Sequence, residues 1–336
     1  MQHIGTASIA FKKPAYIMQY SSIVGKKEGE GPLSKYFDEV YSDPLFTGNN
    51  WEEAESMLIY NNIKKLLDKA ELSSTDIDYI LSGDLLGQLI ATSFGVENFN
   101  IPLFGLYGAC STFGEALSLG SILISGGFAN KVISSASSHF ASAEKTFRFP
   151  LDYGSQRKLS STWTVTGCGS VILSCDSGKA KITGITTGRI IDFGVKDKEN
   201  MGACMAPAAA DTIYNHFVDF GRTPDDYDKI ITGDLGLIGQ TILIDLLREK
   251  GFDISDKHMD CGIEIFDTKT QDVGSGGSGC GCSASTFCGY IMNQFETQEL
   301  KRILFVPTGA LLSPTSSNEG NTVPGIAHGV VIEAIN

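Results

Sequence analysis

The sequence predicts an α/β fold built from two duplicated halves, and three observations carry that expectation. Short apolar, strand-like runs alternate with amphipathic or buried helical runs along most of the 336 residues. Glycine, at 38 residues, concentrates in short loops, as many strand-to-helix turns require. Finally, Ser73–Leu85 (SSTDIDYILSGDL) returns 150 residues later as Thr223–Leu235 (TPDDYDKIITGDL). Asp76/Asp226, Asp78/Asp228, Ile80/Ile230, Gly83/Gly233, Asp84/Asp234 and Leu85/Leu235 are identical between the two. Fainter echoes follow in the same order: Ser111-Thr-Phe113 and Ser285-Thr-Phe287 each ahead of a buried helix, and Thr164-Val-Thr-Gly167 and Thr322-Val-Pro-Gly325 each opening a final strand. A duplication dividing the chain into halves 1–178 and 179–336 accounts for all of them.

In the first half, Asn49 or Asn50 caps a helix over 50–70, whose inner stripe is Ala54, Leu58, Ile63, Leu66, Leu67 and Ala70. Strand 77–82, helix 85–95, strand 102–106, buried helix 111–125, strand 131–136 and strand 164–174 follow. The second half reads as strand 181–190, helix 206–220, strand 228–232, helix 236–250, strand 261–266, helix 283–295, strand 302–307 and strand 328–334. Each half therefore mixes strands with covering helices. The long connection 137–163 is where ligand-facing loops are expected.

Composition narrows the function. A net charge of −13 argues against nucleic acid, whose phosphates need clustered Lys and Arg. No run of about 20 apolar residues is long enough to span a bilayer, and no secretory signal pattern opens the chain, so a cytoplasmic location is expected. Most of the eight cysteines read as small buried hydrophobes of an intracellular chain. Cys280-Gly-Cys282 is too tight for a zinc knuckle and lacks a matching pair, so neither a metal nor a cofactor is expected.

One cysteine stands apart. Cys110 lies in Gly108-Ala109-Cys110-Ser111-Thr112-Phe113-Gly114, at the mouth of the buried helix. Unpaired N–H groups and the positive end of the helix dipole favour a thiolate at such a place.

A duplicated βαβαβαββ chain with its key cysteine at a buried helix N-terminus resembles the thiolase superfamily, which includes the ketoacyl synthase III condensing enzymes. The resemblance implies a layered α-β-α-β-α architecture. Closer still is the similarity to the stage V sporulation protein AD family of spore-forming bacteria. It rests on GLYGACSTFGEALSLGSILI, SSHFASAEKTFRFPLDYGSQR, TWTVTGCGSVIL, ITGDLG and PGIAH. The likeness implies a binding protein for dipicolinic acid (pyridine-2,6-dicarboxylate), as the free acid or its calcium chelate. It further implies a role in loading that ligand into the spore at the inner forespore membrane, with membrane-protein partners and a homodimeric assembly.

The sequence departs from the enzymes where their acid–base groups belong. Thiolase chemistry needs a His, helped by a second His or an Asn, to activate the cysteine and hold the enolate. By alignment Cys280 stands at one such His, Asp234 falls in the loop of the other, and the second cysteine of thiolases falls near Asn321. A condensing enzyme using Cys110 as nucleophile is therefore the alternative to a receptor.

The expected ligand-facing set is Cys110, Ser138, His139, Arg148, Arg157, Asp234, Cys280, Cys282, Ser283, Asn321 and His328. Asp84 and Asp234, being duplicated, also read as helix caps, and His328 equally as a structural histidine. Arg148 and Arg157, with Lys145 and Lys158, are the cationic candidates for carboxylate recognition; the alternative for their loop is a dimer interface. Phe147, Phe149 or Tyr153 are candidates to stack on a pyridine ring.

Overall fold

A computed structural model describes residues 2–147 and 157–335. The first half supplies β1 (Ser8–Gly25), β2 (Tyr79–Gly83), β3 (Leu103–Gly105), β4 (Lys131–Ser138) and β5 (Gly167–Ser174). The second supplies β6 (Ala180–Thr186), β7 (Lys229–Thr232), β8 (His258–Asp260), β9 (Arg302–Val306), β10 (Thr308–Ala310), β11 (Gly325–Ala327) and β12 (Gly329–Ala334). Ten of these strands form one continuous sheet in the order β8-β7-β9-β12-β6-β1-β5-β4-β2-β3. Outward from the β6–β1 junction, the two arms match strand for strand. In each arm the inner pairings are antiparallel and the outer two parallel. β1 makes the join, bonding β5 along one edge and β6 along the other.

Helices cover and separate the arms. α1 (Trp51–Ala70) and α2 (Ile90–Val96) lie on the outer face of the first arm, while α3 (Thr112–Gly126) is buried between the arms. α4 (Phe140–Phe147) follows β4. α5 (Met201–Phe220) and α6 (Gly236–Glu249) cover the outer face of the second arm, and α7 (Cys280–Thr286) joins α3 in the middle. The strands' two-residue alternation sorts side chains among these layers. Leu304 and Val306 enter the core under α5, whereas Ile303 and Phe305 enter the central one. Ile80 and Ile172 pack under α1, whereas Leu81, Val171 and Leu173 face inward. The result is the layered α-β-α-β-α arrangement.

The duplicated residues do duplicated work. Ser73 with Asp76, and Thr223 with Asp226, form matching capping boxes. Asp78 accepts from the Asn130 and Lys131 N–H groups, and Asp228 from those of Lys301 and Arg302, fastening each loop to the neighbouring strand. Asn50 caps α1 through the Glu52 and Glu53 N–H groups.

Several elements differ from the sequence expectation. β1, which joins the halves, was not anticipated, because Lys12, Lys13 and Pro14 interrupt its alternation; they fall where its pairing with β6 skips between Ala10 and Ala15. Strand 261–266 is instead β8 followed by a helical turn, Cys261–Glu264, which Asp260 caps through the Ile263 N–H. Helices α5 and α7 begin earlier than expected, so Ser285-Thr-Phe287 lies within its helical run; Phe287 packs edge-on against Phe113 of α3, centroids 5.6 Å apart.

The central layer depends on glycine. A Cβ on Gly169 of β5 would sit 2.1 Å from the Ala284 carbonyl oxygen of α7, and one on Gly281 would sit 2.3 Å from that of Gly167. Because backbone cannot swing aside as a side chain can, Gly169→Ala is expected to cost about 1–3 kcal/mol through forced separation of strand and helix. Gly87→Ala, whose Cβ meets nothing within 4 Å, is the matched control, and urea denaturation midpoints compare the two.

Candidate functional site

Cys110 sits in a single turn, Ala109–Ser111, that leads into α3. Ala109 adopts a left-handed φ of 50°, a conformation that costs energy for a residue with a side chain. The turn aims Cys110 into a cavity of about 330 Å³. Its apolar walls include Leu85, Met201, Ala310, Leu312 and Pro314, and its polar groups include Tyr107, Thr146, Thr164, Ser278 and Ser313. Among the described lining residues there is no Lys, Arg or His.

Behind Cys110 lies Asp234, fully buried. Its carboxylate accepts from the Thr308 hydroxyl at 2.8 Å and the Gly279 N–H at 3.0 Å, and it acts directly on the Cys110 thiol. Gly279 can offer that N–H because its φ is 98°, and a Cβ there would strike the Ser138 hydroxyl. Desolvation raises Asp234 to about 7, against the hydrogen bonds it accepts from Thr308 and Gly279. Desolvation also pushes the Cys110 thiol well above its usual range, and the Asp234 charge adds to this. The helix terminus therefore does not make Cys110 a thiolate; burial beside a carboxylate keeps it a thiol.

The duplication breaks here. Asp84 remains a turn-binding residue: its oxygens accept from the Leu86 and Thr92 N–H groups and the Thr92 hydroxyl. Asp234 binds no N–H of the turn that follows it: the Gly236 N–H, counterpart of the Leu86 N–H that Asp84 binds, donates to Asp260, as does that of Leu235. Asp84 therefore ties its turn to the first turn of α2 without being its N-cap residue, whereas the Asp234 carboxylate takes Thr308 and Gly279 instead.

The other expected residues are dispersed. Cys280 donates to the Ser137 carbonyl at 2.8 Å and Cys282 to that of Gly233, while Ser283 faces the Cys280 carbonyl. All three are fully buried and absent from the cavity wall. Ser138 clasps β4 to its neighbours, donating to the Val165 carbonyl and accepting from the Gly281 N–H. His139 bonds the Pro44 carbonyl and the Ala141 N–H, packs beside Phe46 and Trp51, and is held neutral by burial; it stands outside the cavity lining. His328 accepts from the Gly188 N–H, and burial lowers it to about 4. Asn321 is exposed, bonded to Ser316.

The cationic loop is differently employed. Arg157 pairs with the buried Glu144 at 2.8 Å and lies over the Trp163 ring. Lys145 pairs with Glu52 and Lys158 with Asp197. Arg148, Phe149 and Tyr153 fall outside the described residues, as does the side chain of Phe147. The wall residues Tyr107, Ser278 and Met201 were not foreseen. Tyr107 had a signal, standing three positions before Cys110; Ser278 and Met201 come from distant segments and had none.

The chain matches the family described as Stage V sporulation protein AD over residues 5–333. The Stage V sporulation protein AD of Bacillus subtilis (strain 168) is 43% identical over 333 residues, covering 99% of this chain and 98% of its own. Among solved structures, a 3-oxoacyl-[acyl-carrier-protein] synthase III from Aquifex aeolicus VF5 superposes with a TM-score of 0.56 at 15% identity, over 95% of this chain and 99% of its own. A thiolase from Ascaris suum in complex with coenzyme A reaches 0.58 at 11% identity, over 96% of this chain and 100% of its own. At such identities the two enzymes establish the thiolase-like fold alone.

Two outcomes follow from the electrostatics. Removing the Asp234 charge lowers the Cys110 thiol toward its normal range, so Asp234→Asn should speed Cys110 alkylation by iodoacetamide at pH 8. The gain is about tenfold for each pH unit by which the thiol's pKa falls. Peptide mass spectrometry reads this site by site, with the exposed Cys175 as unchanged reference. Stability should also fall as pH rises from about 6.5 to 8. Burial raises Glu28 to about 7, Glu55 to about 8 and Asp234 to about 7, so the folded chain holds protons that the unfolded chain releases. His216, His258 and His328, lowered to about 3, 4 and 4, act oppositely, but only below the unfolded histidine pKa of about 6.5. A loss of about 1–3 kcal/mol across that window is expected in urea titrations.

Proposed function

The chain belongs to the stage V sporulation protein AD family, and from that membership and the chemistry of the Cys110 cavity we propose that it is a receptor for dipicolinic acid, not a catalyst. The observation that favours a receptor is Asp234 beside Cys110. A nucleophilic cysteine needs a neighbouring base or cation to draw its proton away, and here a buried carboxylate opposes that loss. In this reading the apolar walls at Leu85, Met201 and Leu312 enclose the flat pyridine ring, and the Tyr107 and Ser278 hydroxyls offer donors to its carboxylates. Uptake into the developing spore then requires membrane-protein partners, since no helix among the described residues is long and apolar enough to cross a membrane.

The alternative is a condensing enzyme that acylates Cys110. It is supported by the thiolase-like fold and by the cysteine's place at a helix N-terminus. Calorimetric titration of dipicolinate, with and without calcium, beside mass-spectrometric detection of acetylation from acetyl-CoA, separates the two. Saturable dipicolinate binding with an unmodified Cys110 is expected; acetylated Cys110 without dipicolinate binding would establish the enzyme instead.

We also propose a homodimer built on the free edge of β3. Leu103, Phe104 and Tyr107 are exposed there, with Phe94 nearby in sequence on α2, and an unpaired apolar strand edge favours pairing with a second copy. Phe104→Lys should convert a dimer to a monomer in light scattering; a wild-type monomer at micromolar concentration would refute the assembly.

A further inference from the structure

A groove of about 850 Å³, larger than the Cys110 cavity, lies at the opposite ends of the second arm's strands. Arg302, where β9 begins, lines the groove, whereas Ala310, beyond the end of that strand, lines the Cys110 cavity. Most charged groups of the groove are occupied within the fold. Asp226 belongs to a capping box, and Asp228 accepts from the Lys301 and Arg302 N–H groups. Glu296 pairs with Lys179 at 2.6 Å and Glu333 with Arg302 at 2.8 Å. The Lys181, Lys257 and Lys301 ammonium groups, by contrast, hold no ion pair or hydrogen bond among the described residues. Of the lining acids, Asp225 alone is unbonded among those residues. In a chain of net charge −13, this groove therefore carries a local surplus of unpaired cations.

The repeat supplies a comparison from within the chain. The first half keeps the groove's framework: Asp76 and Asp78 stand at the places of Asp226 and Asp228, and Lys131 at that of Arg302. Tyr16 pairs with Ser174 as Lys181 pairs with Glu333, so strand register puts Tyr16 at the place of Lys181. In the same way Pro102 stands at the place of Lys257, and Asn130 at that of Lys301. The residues that build the turns are thus common to both halves, while the unbonded lysines belong to the second alone. Because the first half forms the same turns with Tyr, Pro and Asn, the fold itself does not require them.

The sheet sets the spacing of the cations. β8, β7, β9, β12 and β6 lie side by side, with Lys257 just before β8, Lys301 just before β9 and Lys181 near the start of β6. At about 4.8 Å per strand, the row spans about 19 Å, the length of an extended segment of about six residues. We propose that this groove docks an extended acidic peptide segment of a protein partner, whose carboxylates pair in turn with Lys257, Lys301 and Lys181 across the strand ends. Asp225 and Glu333 interrupt the row. A polyphosphate, charged at every unit, is repelled there, whereas a peptide can set a neutral residue opposite each. Exposed ion pairs of this kind are individually weak and confer specificity and salt dependence more than affinity.

The test is fluorescence anisotropy of a rhodamine-labelled peptide of alternating Glu and Gly, about six residues long, titrated with the full chain at low ionic strength. Saturable binding that weakens as salt is added is expected. Lys181→Gln, Lys257→Gln and Lys301→Gln should each weaken it about two- to fivefold, and the three together about tenfold or more. A control chain carrying Lys64→Gln, Lys196→Gln and Lys269→Gln loses the same charge from exposed lysines outside the groove and should bind as the wild type does. If Lys181→Gln, within β6, disturbs folding, the pair Lys257→Gln and Lys301→Gln carries the comparison. No saturable binding, or an equal loss in the control chain, overturns the proposal. Displacement of the peptide by inorganic tripolyphosphate at a lower concentration than by unlabelled peptide overturns it in favour of a phosphate ligand. The groove is separate from the Cys110 cavity, so failure here leaves the receptor reading untouched.

Discussion

The constraint on which the site depends is the seam where the N-terminal turn of α7 meets the backbones of β4 and β5. Gly169 lies against the Ala284 carbonyl and Gly281 against that of Gly167, distances at which neither position tolerates a side chain. The Ser138 hydroxyl and the Cys280 thiol stitch the same seam to the ends of β4. Once α7 is pinned there, Gly279 must enter it with a left-handed φ, and its N–H is delivered to Asp234. The site's polar floor is therefore a consequence of helix-on-strand contact in the central layer.

The same contact explains how a fold shared with condensing enzymes supports different chemistry. The scaffold still places a cysteine at a buried helix terminus, with a turn at Ala109 strained enough to project it. What surrounds the sulfur has changed sign. Desolvation and Asp234 both favour the thiol, and His139, His216, His258 and His328 are bonded into the fold away from the cavity wall. A helix terminus contributes only part of a charge, so full burial beside a carboxylate prevails.

The cost of this arrangement is spread through the interior. Glu28, Glu55, Asp84, Asp234 and Asp260 are all buried and all raised chiefly by desolvation. Each is offset by hydroxyl or backbone donors: Ser137 and Ser142 for Glu55, Thr166 for Glu28, Thr232 for Asp260. Ser137, Ser142 and Thr232 thus serve to hold acids, while other buried hydroxyls, such as those of Ser118, Ser121, Ser134 and Ser285, donate to backbone carbonyls.

Much of the architecture was legible in the chain itself. The repeat of Ser73–Leu85 as Thr223–Leu235 announced two halves, and its capping boxes and its strand-fastening aspartates act locally, within a few residues or on the next strand. Cys110 ahead of an apolar helix was equally plain, since helix termini are written in local sequence. The fate of Asp234 was not. Identical residues at Asp84 and Asp234 diverge because Asp260 takes the Gly236 N–H, counterpart of the one that Leu86 gives Asp84, and because Gly279 and Thr308 arrive from distant segments. Likewise Arg157 looks like a ligand-binding cation in sequence, yet tertiary structure commits it to Glu144 and Trp163. Sequence determined most of the elements, because their signals are short-range, but not β1, whose pairing along both edges only the tertiary structure shows; tertiary structure also decided which polar groups meet, because a buried charge takes whatever partner packing brings to it.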